Sequence, residues 1–276
     1  MNKIKNWFIR GDTHGVFTWM NDDSYFDNCE PEETAIIILG DAGFDWYLNK
    51  TDERKKKEVD LRGYYIYWLR GNHEARPCDV DGYSLIYDDE VKGYVWCDKR
   101  FPHLRAFKDY GIYHFGEYTA AIIGGAYSVD KYWRLERAGM TEETNNPKRS
   151  GWFYNEQLTA NEMHNAELTF SGHIVDFVFS HTCPYSWRPT DMFLPSIDQS
   201  KVDTTMEKWM DQLKDKFTWN VWCWAHYHAD RLERPHCELY YNNIDSLNNI
   251  YNRWKQYDET GNLDWWLYKS PSFYII

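Results

Sequence analysis

Five short apolar segments of this chain each stop at a residue that can bind a metal ion. In an open α/β sheet, ligands gather at the carboxyl ends of the strands. If the five segments are strands of such an arrangement, their polar ends meet at one edge. The segments and their ends are NWFIR before Gly11-Asp12-Thr13-His14-Gly15, IIIL before Gly40-Asp41, YWLR before Gly71-Asn72-His73-Glu74, FVFS before His181-Thr182, and WCWA before His226-Tyr227-His228.

The first third of the chain alternates strand-like and helix-like segments. TAIIIL (34–39) is a continuous apolar run, as expected for a strand that is covered on both faces. TDERKKKEVDLRG (51–63) is charged, opens with a Thr-Asp cap signal and ends in glycine, which predicts a solvated helix. YYIYWL (64–69) is again strand-like. This alternation predicts βαβ units and a mainly parallel sheet.

The rest of the chain predicts further strands, two amphipathic helices and one long loop. The loop, at 127–157, is polar and interrupted by Asn, Pro and Gly, which is typical of a functional lid or rim. We expect one domain over residues 1–276, with this loop as an insertion. The other predicted strands are 94–97, 112–115, 119–126, 175–180, 219–225, 238–241 and 273–276; the predicted helices are 155–168 and 204–217, with a helical stretch between the last two strands.

Composition and charge exclude several classes of function. The 276 residues are 43% apolar, enough for a substantial core. A net charge of -12 argues against non-specific nucleic-acid binding but leaves a nucleotide substrate open, because bound metal ions would supply positive charge. The six cysteines form no CxxC pair, the N-terminus has no export signal, and the longest apolar runs are strand-sized. We therefore expect a cytoplasmic protein with reduced thiols and no membrane span.

The polar strand ends form a plausible metal-ligand set when taken together. Each motif alone is weak, since Gly-Asp is common in turns and paired histidines also occur at ordinary strand ends. Carboxylate, amide oxygen and imidazole suit first-row divalent ions, and the absence of thiolates argues against a closed zinc site. Seven ligands are too many for one tetrahedral ion. They suit two ions that share a carboxylate, the usual clamp for in-line attack on phosphorus.

The ordered motifs GDTHG, GD, GNHE, SHT and AHYH resemble those of the calcineurin-like metallophosphoesterases over residues 4–230. Residues 124–134, 150–158 and 175–184 also resemble a largely uncharacterised bacterial and phage branch. The resemblance implies an α/β sandwich of two mixed β-sheets flanked by helices. It implies two divalent or mixed-valence ions, with Mn, Fe, Zn and Ni not distinguishable, and a metal-activated water as nucleophile. By this resemblance Asp12, His14 and His228 would hold one ion, Asn72, His181 and His226 the other, Asp41 would bridge, and His73 would face the leaving-group oxygen.

Two departures from the family pattern affect these expectations. Ala225 replaces the glycine of the last motif, and we expect this to have a minor effect. The second motif lacks the arginine and aspartate of protein Ser/Thr phosphatases, GDxVDRG, which weakens the case for a standard phosphoprotein phosphatase. Asp45 could brace His73 from a shifted position, but we expect an exposed turn carboxylate. Arg76, Lys131 and Arg134 could each grip phosphate, but we expect surface charges.

Three functional hypotheses follow from the sequence. The first is a phosphomonoesterase acting on a small molecule, nucleotide or phosphopeptide. The second is a phosphodiesterase acting on a cyclic nucleotide, dinucleotide or nucleic acid. The third is a binding protein that has kept the fold and lost the chemistry. The acidic charge and the 15 Trp and 22 Tyr residues favour a small phosphate-ester substrate.

Overall fold

Alternate residues of the central strands pack on opposite faces, and this produces two stacked β-sheets. The computed structural model describes residues 3–26, 28–193 and 195–262. In the fully buried strand Thr34–Ile38, Ile37 faces an inner core shared with Phe177 and Phe179, whereas Ile36 and Ile38 face an outer core. Side chains alternate along a strand with a period of two, so burial on both faces requires a continuous apolar run.

Thirteen strands, numbered along the chain, form the two sheets within the described residues. Their bounds are β1 (Asn6–Arg10), β2 (Thr34–Ile38), β3 (Tyr65–Trp68), β4 (Tyr83–Asp88), β5 (Gly93–Asp98), β6 (Leu104–Phe107), β7 (Tyr110–Phe115), β8 (Tyr118–Ile123), β9 (Ile174–Ser180), β10 (Thr218–Trp224), β11 (Arg231–Arg234), β12 (Cys237–Leu239) and β13 (Ile244–Ser246).

Both sheets are mixed, with parallel strands in the centre and antiparallel strands outside. The seven-stranded sheet has the order β13-β1-β2-β3-β6-β5-β4, and its strands β1, β2, β3 and β6 are parallel. The six-stranded sheet has the order β11-β12-β10-β9-β8-β7, and its strands β12, β10, β9 and β8 are parallel. The predicted sandwich of two mixed sheets flanked by helices is confirmed.

Helices cover the outer faces of both sheets. On the six-stranded sheet, α4 (Ala160–Phe170) and α5 (Thr205–Leu213) bury Phe170 and Met210, and on the seven-stranded sheet α1 (Lys50–Asp60) buries Val59. No helix among the described residues combines the length and the apolarity that crossing a membrane demands. The α-helices are α1 (Lys50–Asp60), α2 (Lys131–Ala138), α3 (Pro147–Ser150), α4 (Ala160–Phe170), α5 (Thr205–Leu213) and α6 (Leu247–Thr260); short 3₁₀ helices span Thr18–Asn21, Asp23–Phe26, Pro31–Glu33, Pro77–Asp79, Tyr185–Trp187, Thr190–Met192 and Gln199–Lys201.

The segment 127–157, which the sequence predicts as a loop, contains α2 and the single turn α3. Helix α2 has good helix formers around the buried Leu135, and it ends at Gly139 in the left-handed region, with φ 66°. Only one side chain of α2 is fully buried, so its sequence is mostly polar and shows no clear apolar periodicity that would predict a helix.

Other element boundaries also differ from the prediction. Helix α4 begins only at Ala160, because Thr159 and Glu162 form a capping box there. Strand β4 was not predicted, since it is an edge strand whose Leu85 and Tyr87 are exposed. Strands β6, β11 and β13 were also not predicted, and the strand predicted at 273–276 lies outside the described residues.

Candidate metal centre

The carboxyl ends of five parallel strands, three from one sheet and two from the other, meet at one end of the sandwich. The strand ends approach one another so closely that two positions there have no room for a side chain. A Cβ on Gly40, which follows β2 with φ +100°, would lie 2.1 Å from Nδ1 of His181, which follows β9. A Cβ on Gly71, which follows β3, would lie 2.0 Å from Asp41 Oδ1. These glycines let backbone and side chains of different strands approach directly.

Two groups of side chains present ligand atoms that lie within 4.8 Å of one another. In the first group, Asp12 Oδ2 lies 3.1 Å from His228 Nε2 and 3.6 Å from His14 Nε2. In the second group, His181 Nε2 lies 3.6 Å from Asp41 Oδ2, and His181 Nδ1 lies 3.8 Å from Asp12 Oδ1. Asp12 therefore belongs to both groups. Asp41 Oδ2 also lies 4.0 Å from His14 Nδ1, so this carboxylate too lies between them.

The remaining two predicted ligands lie against the second group. Asn72 Oδ1 is 2.9 Å from His181 Nε2. The imidazole of His226 lies 5.0 Å from that of His181, centroid to centroid, and the His226 backbone N–H donates to Asp12 Oδ1 at 3.1 Å. The structure thus brings all seven predicted ligand residues into one cluster.

The backbone of this cluster adopts conformations that are unusual for residues with a side chain. His14, Asp41, His226 and His228 have φ values of 45°, 47°, 69° and 51°. They are four of the eight non-glycine residues that the structure records with positive φ. Such conformations cost about 1–3 kcal/mol each and concentrate at functional sites. Ala225 is not among the eight, which agrees with the expected minor effect of replacing glycine there.

Burial and mutual charge shift the pKa values of the cluster in opposite directions. Burial raises the pKa of Asp12, but His181 and His228 outweigh it and hold the value at about 2. Burial lowers the pKa of His181, but the two neighbouring aspartates raise it to about 9. For His226, burial and the charge of His181 together lower the pKa to about 3. At neutral pH, with no cation bound, the cluster therefore holds ionised carboxylates, a protonated His181 and a neutral His226 imidazole, and a bound cation would replace the proton on His181.

The residues present fit a pair of divalent cations. Among the described residues, His14 Nδ1 is buried without a hydrogen-bond partner, and the contacts recorded for buried Asp12 Oδ2 are the imidazoles of His14 and His228, which are favourable when a proton or a cation lies between the atoms. The Nε2 atoms of His14 and His228 lie 2.9 Å apart, at hydrogen-bond distance, and they are close enough for one cation to contact both. The donors are oxygen and nitrogen, a set that Mn, Fe, Zn and Ni all accept. The nearest motif thiol, Cys183, is fully buried, and burial raises its pKa well above the usual value, so it packs as a neutral side chain.

His73 lies beside the cluster and is held on several sides. Its backbone N–H donates to Asp41 Oδ1 at 2.8 Å, and its ring stacks on Trp46 at 5.2 Å. Its Nε2 atom lies 3.2 Å from Asn72 Nδ2 and 3.5 Å from Arg134 Nη2. Burial lowers the pKa of His73 to about 4, so the imidazole is neutral at pH 7.

Two buried residues that the sequence analysis did not single out support Asn72. The Asn72 Nδ2 group donates to Ser128 Oγ at 2.9 Å. The Ser128 N–H and Oγ–H donate in turn to the two carboxylate oxygens of Glu156, at 3.0 and 2.5 Å. Ser128 follows β8 as the ligands follow their own strands, so the run TAAII before GGAYS carried the same kind of signal.

The structure corrects the expectation for Asp45. It is buried rather than exposed, at 2%. The side-chain partners that the structure records for it are Lys56 and Tyr83, not His73. Helix α1 turns Lys56 toward the sheet, and a buried ammonium group requires a carboxylate partner.

The expectation that Arg76, Lys131 and Arg134 are surface charges is also wrong. Their side chains are only 12%, 12% and 13% exposed. Arg76 pairs with Asp109 and Glu162, and Lys131 pairs with Glu142. The pairs Arg76–Glu162 and Lys131–Glu142 involve the segment 127–170, whose helices were only partly predicted from the sequence. Arg134 differs from the other two, because it also contacts His73.

Comparison with known proteins agrees with this geometry. The family model for calcineurin-like phosphoesterases matches residues 9–230, which include all seven candidate ligands and His73. No curated protein matches the chain significantly. Members of the family are generally phosphoesterase hydrolases. The match covers most of the chain, and the protein therefore belongs to the calcineurin-like phosphoesterase family.

Proposed function

We propose that the protein hydrolyses phosphate monoesters with two divalent cations bound at the strand ends. The observation that carries the proposal is the pair of ligand groups that share the buried carboxylate of Asp12. A shared carboxylate is what a two-cation centre requires. Family membership supports the reaction class, and the donor chemistry supports the cations.

Asp12 is in both ligand groups, and Asp41 Oδ2 lies 3.6 Å from His181 Nε2 and 4.0 Å from His14 Nδ1, so both carboxylates lie between the two sets of histidines; the family pattern assigns the bridge to Asp41. Two cations at this place would supply Lewis acidity toward the phosphoryl oxygens and would acidify the attacking water. Asp12 and Asp41 would supply the negative charge that holds both cations. The first cation would take Asp12, His14 and His228, the second Asn72, His181 and His226, and Asp41 would bridge them.

The side chains around the centre determine how a substrate enters and leaves. His14 and His228 have side-chain exposures of 22% and 35%, whereas Asp12, Asp41 and His181 are almost fully buried. The ester therefore approaches from the side of His14 and His228. His73 is neutral at pH 7, and its Nε2 faces the N–H groups of Asn72 and Arg134, so its proton is on Nδ1; that N–H would donate a hydrogen bond to the leaving-group oxygen.

Two features favour a small monoester over a polymer. The net charge of -12 opposes a nucleic-acid strand. The ring of Trp46 stacks on His73, packs edge-on against His14 and stacks on Tyr47, and this aromatic surface suits a compact organic leaving group. A phosphodiesterase acting on a cyclic nucleotide, dinucleotide or nucleic acid is the second candidate. A binding protein without activity is the third, and the complete ligand set opposes it.

The test combines metal analysis with two model substrates. Protein loaded with Mn²⁺ should bind about two ions per chain and hydrolyse p-nitrophenyl phosphate faster than bis-p-nitrophenyl phosphate. Asn72→Ala should lower the bound metal, because it removes a ligand oxygen. His73→Ala should retain the metal and slow turnover. His114→Ala, at an exposed position on β7, is the matched histidine control and should behave as the parent.

Three results would contradict the proposal. Faster cleavage of the diester would establish the phosphodiesterase instead. Inactivity of the metal-loaded parent on both substrates and on a broad panel of phosphate esters would establish the silent binding protein. Parental activity of both Asn72→Ala and His73→Ala would reject the roles assigned to these residues.

A further inference from the structure

The second motif of this chain lacks a basic residue, yet an arginine from another element lies against the last residue of this motif. The sequence Gly40-Asp41-Ala42-Gly43-Phe44-Asp45-Trp46 contains no arginine. Its last residue, Trp46, stacks on His73 and also lies under the guanidinium of Arg134, at 5.4 Å from the ring centroid. Arg134 comes from α2, nearly ninety residues further along the chain.

Three contacts hold the Arg134 guanidinium in one orientation. Its Nε donates to Asp130 Oδ2, one turn earlier on α2, at 2.7 Å. Its Nη1 donates to the carbonyl of Gly151 at 3.4 Å. Its Nη2 lies 3.5 Å from His73 Nε2, the atom that also lies 3.2 Å from Asn72 Nδ2. The Nη2 group therefore faces the edge of the metal centre.

The other two basic side chains that the sequence analysis considered are engaged elsewhere. Arg76 binds two carboxylates, those of Asp109 and Glu162. Lys131 pairs with Glu142 and lies over Trp152. Among the contacts recorded, Asp130 binds Arg134 only through Nε. The Nη2 group of Arg134 is therefore left directed at His73.

We propose that Arg134 binds the phosphoryl group of the substrate and selects monoesters over diesters; this inference rests on the proposed function. A guanidinium presents its N–H donors in a fixed planar fork, and the Nη2 group of Arg134, which faces the metal centre, can donate a charge-assisted hydrogen bond to one phosphate oxygen. A monoester presents three non-bridging oxygens and two negative charges, whereas a diester presents two oxygens and one charge. After two oxygens meet the cations, only the monoester retains a charged oxygen for the arginine. The loss of Arg134 therefore costs the monoester more.

The test compares two arginines on the same helix. Arg134→Ala should lower kcat/KM for p-nitrophenyl phosphate by about 10–100-fold, the effect of losing a charge-assisted hydrogen bond. It should change kcat/KM for bis-p-nitrophenyl phosphate by about threefold or less. Arg134→Lys should fall between the parent and the alanine variant on the monoester, since lysine keeps the charge but not the fork. Arg137→Ala, on the exposed side of α2 against Trp133, should match the parent.

Binding of inorganic phosphate provides a second readout that does not depend on turnover. Calorimetry on the Mn²⁺-loaded proteins should show weaker phosphate binding for Arg134→Ala, by about 10–100-fold, and parental binding for Arg137→Ala. Metal content and the unfolding midpoint are measured for each variant. If Arg134→Ala loses metal or fold, the comparison is made with Arg134→Lys.

The outcomes separate this inference from the proposed function. Parental monoester activity and phosphate affinity in Arg134→Ala would overturn the role of Arg134 while leaving the enzyme intact. Equal losses on monoester and diester would overturn the selection of monoesters. If the parent hydrolyses neither substrate, the proposed function fails, and equal phosphate binding by Arg134→Ala and the parent would overturn the phosphate site as well.

Discussion

Asn72 donates its side-chain amide to Ser128 Oγ at 2.9 Å, and this hydrogen bond fixes which end of the amide faces the metal centre. With Nδ2 bound to Ser128, Oδ1 points to His181 Nε2 at 2.9 Å. An amide oxygen can bind a cation, whereas an amide NH₂ group cannot. Ser128 thus acts through Asn72 as a positioning residue, and the buried Glu156 holds Ser128 in place.

Ser128→Ala should weaken metal binding without removing any ligand. Loss of an outer partner of a metal ligand typically costs about 10–100-fold in affinity. The measurement is competition for Mn²⁺ with a chelator of known affinity. Ser186→Ala, at an exposed serine far along the chain, is the control and should bind as the parent does. Equal affinity of both variants would show that Asn72 needs no partner.

Gly40→Ala should disrupt the centre, whereas Gly139→Ala should only reduce stability. Both glycines have positive φ, so each substitution strains the backbone by about 1 kcal/mol. At Gly40 the new Cβ would also lie 2.1 Å from His181 Nδ1, while at Gly139 nothing lies within 4 Å. We expect loss of bound metal and of activity for Gly40→Ala alone. Metal content and urea unfolding check this, and full metal retention in Gly40→Ala would contradict the close approach.

Adding Mn²⁺ to chelator-treated protein should raise its unfolding midpoint. A ligand at 100 times its dissociation constant stabilises a protein by about 2.7 kcal/mol, which corresponds to about 5–10 °C at this size. Asp12→Asn should lose most of this shift, because Asp12 belongs to both ligand groups. His114→Ala should keep it. Calorimetric scans with and without Mn²⁺ measure the shift, and an undiminished shift in Asp12→Asn would place the cations elsewhere.

Glu156 should make stability depend on pH in the neutral range. Burial raises its pKa from 4.5 to about 7, against the opposing effects of its hydrogen bonds with Ser128 and of Lys131. A raised pKa in the folded state gives stability that is complete below pH 4.5 and is lost as the pH rises through about 7. Glu156→Gln, which stays neutral, should therefore be more stable than the parent at pH 8, by up to about 3 kcal/mol.

The measurement for Glu156 is urea unfolding of both proteins in chelator at pH 5, 6, 7 and 8. The difference between the proteins should grow with pH and level off above pH 7. Parallel pH profiles would mean that Glu156 titrates as it does in the unfolded chain.

The central strands could be predicted from the sequence because the apolar pattern of their residues matches their burial in the structure. Strand β2 is apolar throughout and is buried on both faces, so pattern and structure agree. Strand β4 lies at a sheet edge, and its pairing depends on β5, which a local pattern does not reveal. Helix α2 is mostly polar, and it is held through contacts such as that of Arg134 with His73. Such contacts join residues far apart in sequence.

The metal ligands could be predicted from the sequence because they follow strands that the local pattern reveals. The residues that hold these ligands in place could not be predicted. Asp12, Asp41 and His181 each follow a buried strand, so their convergence follows from topology. The partners of Asp45 lie on α1 and β4, and only the packing of these elements shows that its carboxylate is buried. The role of Ser128 likewise depends on the position of Glu156. Side-chain partnership across elements is tertiary information, and spacing along the chain does not contain it.

Each ligand group combines residues from both sheets, and the side chains packed between the sheets set the distance between these residues. Asp41 follows β2 and His181 follows β9, while Ile37 and Phe179 fill the space behind them. Stacked sheets lie about 10 Å apart, at a distance set by such side chains. A bulkier residue in this layer would push the sheets apart and increase the distance between the carboxylate of Asp41 and the imidazole of His181. The relative position of the metal ligands thus depends on core residues that do not contact the substrate.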